Sequence, residues 1–559
     1  MLQLKQEPSA TKFIMKASLV LTLTMVFLLG RPFLGKAEVY TALVDMEGLL
    51  ETERVLAQTL STLIKAQEET LNKLKRFQAD LAREHEKASQ DVQTYLSNPI
   101  NAYTLVKHLT TDWKGIENLL ADNKMKEFYS NVTNYHSVLK FPTDEDLNGA
   151  AVALMRLQDT YKLDTSAVAR GLINGIQYST ALTAGDCFEL GRQSYNNKDF
   201  YHTVQWMTEA LQRFNEEANK TITKADILEY LAFSTYMEGN VHSALEMTDE
   251  LLTLVPNHSR AIGNRVYYLQ DISQKDLQRK RGEDGQLDTS PHAQPLTFSE
   301  KKLGDVDELP ERELYERLCR GEVKMSPAKE AKLKCRYVHH NNPFLFLARL
   351  KEEEAFLSPR ILLYHNILAD SEIETIKRLA QPRLKRATVQ NYKTGELETA
   401  SYRISKSAWL REEEHPHIAA VVKRVEDLSG LTCDTAEELQ VVNYGIGGHY
   451  EPHFDFARRG EQNAFKSLGT GNRIATTLFY MSDVPQGGAT VFPHLRAALY
   501  PTKGTAAFWF NLHRNGEGDY RTRHAACPVL TGSKWVSNKW LHERGQEFKR
   551  RCGLTEHED

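Results

Sequence analysis

The run Gln440-Val-Val-Asn-Tyr-Gly-Ile-Gly-Gly-His-Tyr-Glu-Pro-His-Phe-Asp-Phe456 decides the fold. It closes on His-Phe-Asp at 453–455. Alternate side chains of a strand share a face, so His453 and Asp455 are expected to point together, with Phe454 turned away. A distal histidine, His524, would complete a set of two histidines and one carboxylate. That set suits non-heme Fe(II) and leaves coordination positions open. The triplet alone is weak, because His-x-Asp arises by chance. A solvated or hydrogen-bonded histidine is the plain alternative for His453.

The surrounding chain strengthens the metal reading. Apolar, β-rich runs follow at Arg473–Met481, Gly488–Pro493 and Gly504–Phe510, and a last one spans Thr522–His542. Short strands separated by Gly, Pro and Asn turns point to a sandwich, jelly roll or barrel. By period two, Lys534, Val536, Asn538, Trp540 and His542 share one face. Lys534, ten residues after His524, is placed to reach inward. There it would meet the far carboxylate of a dicarboxylic cosubstrate as a point charge.

Five segments make the likeness specific: Tyr450–Phe456, Gly469–Thr476, Gly487–Pro493, Arg523–Leu530 and Lys534–Phe548. They resemble the 2-oxoglutarate-dependent dioxygenases and, within them, the collagen prolyl 4-hydroxylase alpha subunits. The resemblance extends more weakly over nearly all of the chain after the first forty residues. It implies that His453, Asp455 and His524 hold Fe(II). It implies Lys534 as the 2-oxoglutarate anchor, Tyr444 and Thr490 as donors to the same carboxylate, and His542 as a supporting histidine behind the residues that line the site, near the cosubstrate. L-ascorbate is the implied rescuer of iron after uncoupled turnovers.

At 559 residues the chain is too long for one core. A net charge of −4 argues against a nucleic-acid binder. Residues 1–37 read as a secretory signal peptide: Lys5, Lys12 and Lys16 precede the almost wholly apolar Ala17–Leu29, and Gly35-Lys36-Ala37 supplies small residues for cleavage. The apolar run is short for a membrane span, with a signal anchor as the other possibility. Secretory entry agrees with glycosylation sequons at Asn131, Asn219 and Asn257.

Residues 38–177 read as a helical N-terminal dimerisation domain. Met46, Leu49, Leu56, Leu60, Leu63, Leu74, Phe77 and Leu81 fit one heptad seam, which Glu53, Gln67 and Thr70 interrupt. A helix packed on its own domain and a two-chain coiled coil both satisfy that pattern. The resemblance favours pairing with a second alpha subunit. Residues 178–275 contain an internal repeat: Leu190, Tyr195 and Val204 recur as Leu231, Tyr236 and Leu245, each 41 residues later. This is a tetratricopeptide-like helix pair with insertions, the usual period being about 34.

Tyr230, Tyr236, Tyr267 and Tyr268 are more tyrosine than packing needs, and Arg260 lies close in sequence. Tyrosine rings suit a stiff polyproline II ligand. The resemblance makes Tyr236, Arg260 and Tyr267 groove residues, with Tyr230 beside them. Gln270 and Phe233 depart from the tyrosines expected there. Residues 276–343 read as a linker with a cysteine loop. Residues 344–559 read as the catalytic domain, with its core at 436–545.

Six cysteines are present: Cys187, Cys319, Cys335, Cys433, Cys527 and Cys552. They allow fifteen full pairings. Spacing and resemblance favour Cys319–Cys335 and Cys527–Cys552, with Cys187 unpaired and Cys433 a candidate buried thiol.

The expected architecture is therefore multidomain α+β: a helical or coiled-coil N-terminal region, a tetratricopeptide-like peptide-binding domain, and a C-terminal double-stranded β-helix (jelly-roll) dioxygenase domain. The function the resemblance implies is 4-hydroxylation of peptidyl proline in collagen-like Xaa-Pro-Gly chains, in the lumen of the endoplasmic reticulum. The C-terminus, Glu556-His-Glu-Asp559, is not a retention signal. The resemblance implies protein disulfide isomerase as the beta subunit that carries such a signal. A lysyl or prolyl 3-hydroxylase is disfavoured by Lys534, since those relatives use arginine. A non-catalytic collagen-binding scaffold is disfavoured by the intact triad.

Overall fold

The computed structural model describes residues 39–66, 71–115, 126–281, 310–390, 397–461, 464–466 and 468–554. The signal peptide and residues 282–309 of the linker lie outside these residues. Val39–Asp559 forms one compact unit.

The N-terminal part is helical. Helices α1 (Leu43–Ala66), α2 (Leu71–Gln90), α3 (Pro99–Lys107) and α4 (Asp144–Tyr161) build its core. Thr143 and Asp146 form a capping box that starts α4, satisfying backbone N–H groups the first turn cannot. Asp146 also accepts from Val39 N–H at 2.6 Å. This places the segment before α1 against α4.

The heptad seam is corrected here. Met46, Leu49, Leu56 and Leu60 are fully buried inside this chain's own core, so they are not a surface for a second chain. The side chains of Leu63, Leu74, Phe77 and Leu81 lie outside the described set.

Two helix pairs follow, α5 (Ala184–Asn196) with α6 (Phe200–Glu216) and α7 (Lys224–Met237) with α8 (Val241–Leu254); α9 (Ser259–Arg281) packs after them. Their caps repeat as the sequence does. Capping boxes Thr183/Asp186 and Thr223/Asp226 open α5 and α7, while Asp199 and Asn240 cap α6 and α8. The first pair shares its apolar core with the N-terminal helices, through Leu190, Trp206 and Met207. Lys107 pairs with the buried Asp186 at 2.7 Å. Together with His108 it holds that carboxyl at about 2 against the opposing pull of burial. Helix α9 runs to Arg281, six residues past the expected start of the linker.

After α10 (Glu311–Cys319) the chain becomes strand-rich. Strands are β1 (Cys335–Val338), β2 (Leu350–Leu357), β3 (Arg360–His365), β4 (Lys385–Arg386), β5 (Arg403–Ile404), β6 (Lys406–Leu410), β7 (Leu439–Tyr444), β8 (His449–His453), β9 (Arg473–Tyr480), β10 (Thr490–Phe492), β11 (Ala497–Leu499), β12 (Ala506–Phe510), β13 (His524–Ala526) and β14 (Lys534–His542). A nine-stranded sheet has the order β1-β2-β3-β12-β9-β14-β7-β6-β4, and a five-stranded sheet the order β11-β10-β13-β8-β5. All the pairings in these two sheets are antiparallel. Helices Asp370–Ala380 and Pro416–Ser429 contribute Ile373, Ile376, Val421 and Val425 to the apolar core of the larger sheet.

The disulfide expectation is also corrected. Cys319 at the end of α10 is bonded to Cys527, and Cys335 and Cys552 are exposed thiols. Cys319 and Cys527 are both buried in one small apolar cluster with Leu318, Val491 and Ala525. A buried thiol pairs with what its cluster contains. Cys187 and Cys433 are unpaired, and burial pushes the Cys433 thiol up to about 12.

Candidate active site

Strands β8 and β13 pair with His453 opposite His524, and the bend after β8 returns Asp455 toward both. His453 Nε2 lies 3.8 Å and His524 Nε2 3.6 Å from the Asp455 carboxylate. One ligand atom from each of the three falls within 4.8 Å of the others. Asp455 is past the end of the strand, so a bend, not strand alternation, completes the convergence. Phe454 does turn away, edge-on to Tyr520.

The ligand nitrogens are fixed by their backbone partners. His453 Nδ1 lies 2.7 Å from Glu451 O and His524 Nδ1 3.0 Å from Thr522 O. Each Nδ1 must carry the proton to donate, which leaves Nε2 as the free lone pair. Asp455 is fixed in turn. Thr476 Oγ1 donates to Asp455 Oδ2 at 2.7 Å, Asn511 donates to that hydroxyl at 2.9 Å, and Trp509 Nε1 donates to Asn511 at 2.9 Å. Burial works to raise the Asp455 carboxyl, but His524, His453 and Arg473 bring it down to about 2. A deprotonated carboxylate and two Nε2 lone pairs converging on one point fit a divalent metal of the Fe(II) type. Thr476 and Asn511 were not found in the sequence: Thr476 reads there as one more residue of the 473–481 run, and Asn511 lies just past the 504–510 run.

Lys534 opens β14 and pairs across with Tyr444, the last residue of β7. It is 1% exposed, and burial alone draws its ammonium down to about 7. Its Nζ sits 4.9 Å from the Tyr444 ring centre. Thr490 Oγ1 accepts from Tyr480 O–H at 2.9 Å, which leaves its own proton to donate. Lys534, Tyr444 and Thr490 line the same cavity as His453, Asp455 and His524. Lys534, Val536, Asn538 and Trp540 all line it, as period two predicts for β14.

His542 does not line this cavity. It is fully buried at the far end of β14, with Nε2 3.0 Å from Glu437 and Nδ1 2.8 Å from Gly471 O. Eight residues of strand separate it from Lys534 by about 26 Å. Glu437 is held at about 2 against burial by Arg473 and His542, and Arg473 covers the Trp540 ring at 3.9 Å. Arg403, also missed in the sequence, lines the cavity above the Tyr450 ring at 4.8 Å.

The tyrosines of the repeats come together as well. Tyr195 meets Tyr230 edge-on at 4.9 Å, with Phe233 at 5.7 Å. Tyr236 stacks on Tyr268 at 4.5 Å and meets Tyr267 edge-on at 5.7 Å. Tyr268 is 1% and Tyr267 58% exposed. Arg260 is exposed and ion-paired with Glu229 at 2.5 Å.

Comparison with known proteins agrees with this geometry. Residues 42–175 match the prolyl 4-hydroxylase alpha-subunit N-terminal region, 184–274 the prolyl 4-hydroxylase peptide-substrate-binding domain, and 439–542 the 2OG-Fe(II) oxygenase superfamily. The human prolyl 4-hydroxylase subunit alpha-1 is 50% identical over 519 residues, 92% of this chain and 96% of the relative. The chain belongs to the prolyl 4-hydroxylase alpha-subunit family. The Caenorhabditis elegans subunit alpha-2 is 50% identical over 94% of this chain and 95% of its own length. A solved viral collagen prolyl hydroxylase from Paramecium Bursaria Chlorella virus-1 aligns at 24% identity over 32% of this chain and 94% of that one, with a TM-score of 0.26. As a family member the chain is a 2-oxoglutarate-dependent dioxygenase with a 2OG-Fe(II) oxygenase domain.

Proposed function

We propose that this subunit hydroxylates peptidyl proline at C4 in collagen-like, Pro-rich chains. It would consume 2-oxoglutarate and O₂, release succinate and CO₂, and use L-ascorbate to restore iron. The observation that carries this reading is the cavity in which His453, Asp455 and His524 converge beside a buried lysine with no counter-anion among the described residues. Iron with bound 2-oxoglutarate supplies the oxygen activation that attacks an unactivated C–H bond. The chain's own residues do the rest. His453 Nε2, His524 Nε2 and Asp455 hold the metal, and Thr476 fixes the carboxylate. Lys534 neutralises the distal carboxylate of the cosubstrate, with Tyr444 and Thr490 donating to it. The walls of β14 exclude water.

The two facing sheets fit a double-stranded β-helix, and the domain boundaries are proposed as read from the sequence. The aromatic face of Tyr230, Tyr236 and Tyr267, with Arg260, is proposed to dock the polyproline II substrate. Tethering that face to the catalytic domain would raise the local concentration of a repetitive substrate. Protein disulfide isomerase as beta subunit, a second alpha subunit and residence in the endoplasmic reticulum lumen complete the proposal. Asn219 and Asn257 are exposed in interhelical loops, where a glycosyl transfer can reach them. Among the described residues no helix is long and apolar enough to cross a membrane.

The test is release of CO₂ from 2-oxoglutarate that depends on a Pro-Pro-Gly repeat peptide, followed by location of the oxidised carbon. Oxidation at C3 would overturn the reading. CO₂ release without any peptide dependence would overturn the substrate assignment.

A further inference from the structure

The N-terminal helices are built into the catalytic domain at the turn Gly445–Gly448, which joins the Tyr444 strand to the His453 strand. Ile446 N–H donates to Tyr40 O at 3.1 Å. A Cβ on Gly445 would lie 1.9 Å from that same oxygen, so only glycine admits the segment there. Arg156 of α4 donates to Gly447 O at 3.4 Å. Ile446 and Leu530 belong to the core of the N-terminal helices, not to the sheet core. Lys406 of β6 is ion-paired with Asp45 of α1.

One side chain links this junction directly to the anchor lysine. Asn443 is fully buried. Its Oδ1 accepts from Val44 N–H at 3.2 Å and its Nδ2 donates to Lys534 O at 3.3 Å. Val44 lies in the first turn of α1, where backbone N–H groups have no partner within the helix. Asn443 therefore satisfies a helix-start donor from one region and the carbonyl of Lys534 from another. As the neighbour of Tyr444 it faces away from the cavity, so it touches neither metal nor cosubstrate.

We propose that Asn443 is a positioning residue that couples docking of the N-terminal helices to the placement of Lys534 and Tyr444, and so to 2-oxoglutarate affinity. This rests on Lys534 being the cosubstrate anchor. The N-terminal region is then part of the cosubstrate site as well as a module for assembly. Coupling of this kind is reciprocal: if docking of α1 favours 2-oxoglutarate, 2-oxoglutarate must favour docking of α1.

The test uses the full-length enzyme. Asn443→Ala removes two buried hydrogen bonds and is expected to raise the KM for 2-oxoglutarate about fivefold, with a smaller change in kcat and none in peptide KM. A purely structural role would lower the Tm and the active fraction but leave that KM in place. An unchanged KM therefore overturns the proposal, provided Lys534→Ala raises it. If Lys534→Ala also leaves the KM unchanged, the anchor assignment itself has failed. Should Asn443→Ala not fold, hydrogen exchange on the wild-type enzyme decides. Saturating 2-oxoglutarate with Fe(II), without oxygen, is expected to slow exchange in peptides covering 40–46 and 441–448. Unaltered exchange at 40–46 overturns the coupling.

Discussion

The metal cavity and the tyrosine face of the repeats differ in how tightly the fold holds their side chains. His453, Asp455, His524 and Lys534 sit between two sheets, and each of the first three has a fixed partner in Glu451 O, Thr476 or Thr522 O. On the repeats, Tyr267 is more than half exposed and the exposed Arg260 is ion-paired with Glu229. A buried site must bring every polar partner with it, because an unpaired buried group costs about 1–3 kcal/mol. An exposed groove uses water instead and can exchange one tyrosine for Phe233 or Gln270. Substitutions should therefore act on different quantities in the two regions: turnover and cosubstrate in the cavity, peptide KM on the repeats.

The sharpest separation comes from the ligands. His453→Ala and Asp455→Ala are expected to abolish turnover while peptide binding to the repeats, followed by calorimetry, stays within error of wild type. Loss of peptide affinity in either variant would mean that the two regions are not separable.

Lys534→Ala is the next largest effect. It would leave a carboxylate of bound 2-oxoglutarate without its counter-charge, costing on the order of 3–5 kcal/mol. That is at least about a hundredfold in cosubstrate KM. Iron affinity, read by metal titration, should hardly change, since Lys534 is not a ligand. A normal KM would place the anchor elsewhere.

The same lysine predicts a pH effect. Burial lowers the free ammonium to about 7, and a bound carboxylate favours the charged form. Below pH 7 the lysine is already protonated, so affinity is flat. Above it, binding must take up a proton, and the KM for 2-oxoglutarate should rise up to about tenfold per pH unit. A KM that stays flat from pH 7 to 9 would show that Lys534 remains charged without its ligand.

How much of this could be read in the sequence follows from the same contrast. The triad and Lys534 were legible because the segments around them resemble the 2-oxoglutarate-dependent dioxygenases; strand alternation fails at Asp455, which a bend past the strand end brings round. The strand residues Lys534 to Trp540 line the cavity as period two requires. Thr476 and Asn511 were not legible, because nothing local distinguishes a ligand-orienting threonine from one that fits a strand. The heptad seam misled for a related reason: Met46, Leu49, Leu56 and Leu60 record only that one face is buried, not what buries it. The cysteine pairs failed because spacing carries no information about the cluster that joins Cys319 to Cys527.

The smallest expected effect tests whether adjacent tyrosines of one helix divide these duties. Tyr267 and Tyr268 are neighbours on α9, and both contact Tyr236, one edge-on and one stacked. Tyr268 is buried with Val241 and Ala244, whereas Tyr267 faces solvent. Tyr267→Ala is expected to raise peptide KM about fivefold, in line with a lost aromatic contact of about 0.5–1.5 kcal/mol, and to leave Tm, kcat and 2-oxoglutarate KM in place. Tyr268→Ala removes a core ring and should cost about 3–5 kcal/mol of stability, lowering the Tm of the repeat region. If Tyr267→Ala lowered the Tm as much as Tyr268→Ala while sparing peptide KM, the exposed ring would be packing and not a docking surface. The ligand-binding face would then have to be sought on the Tyr195–Tyr230 side, where the rings are packed against Phe188 and Phe233.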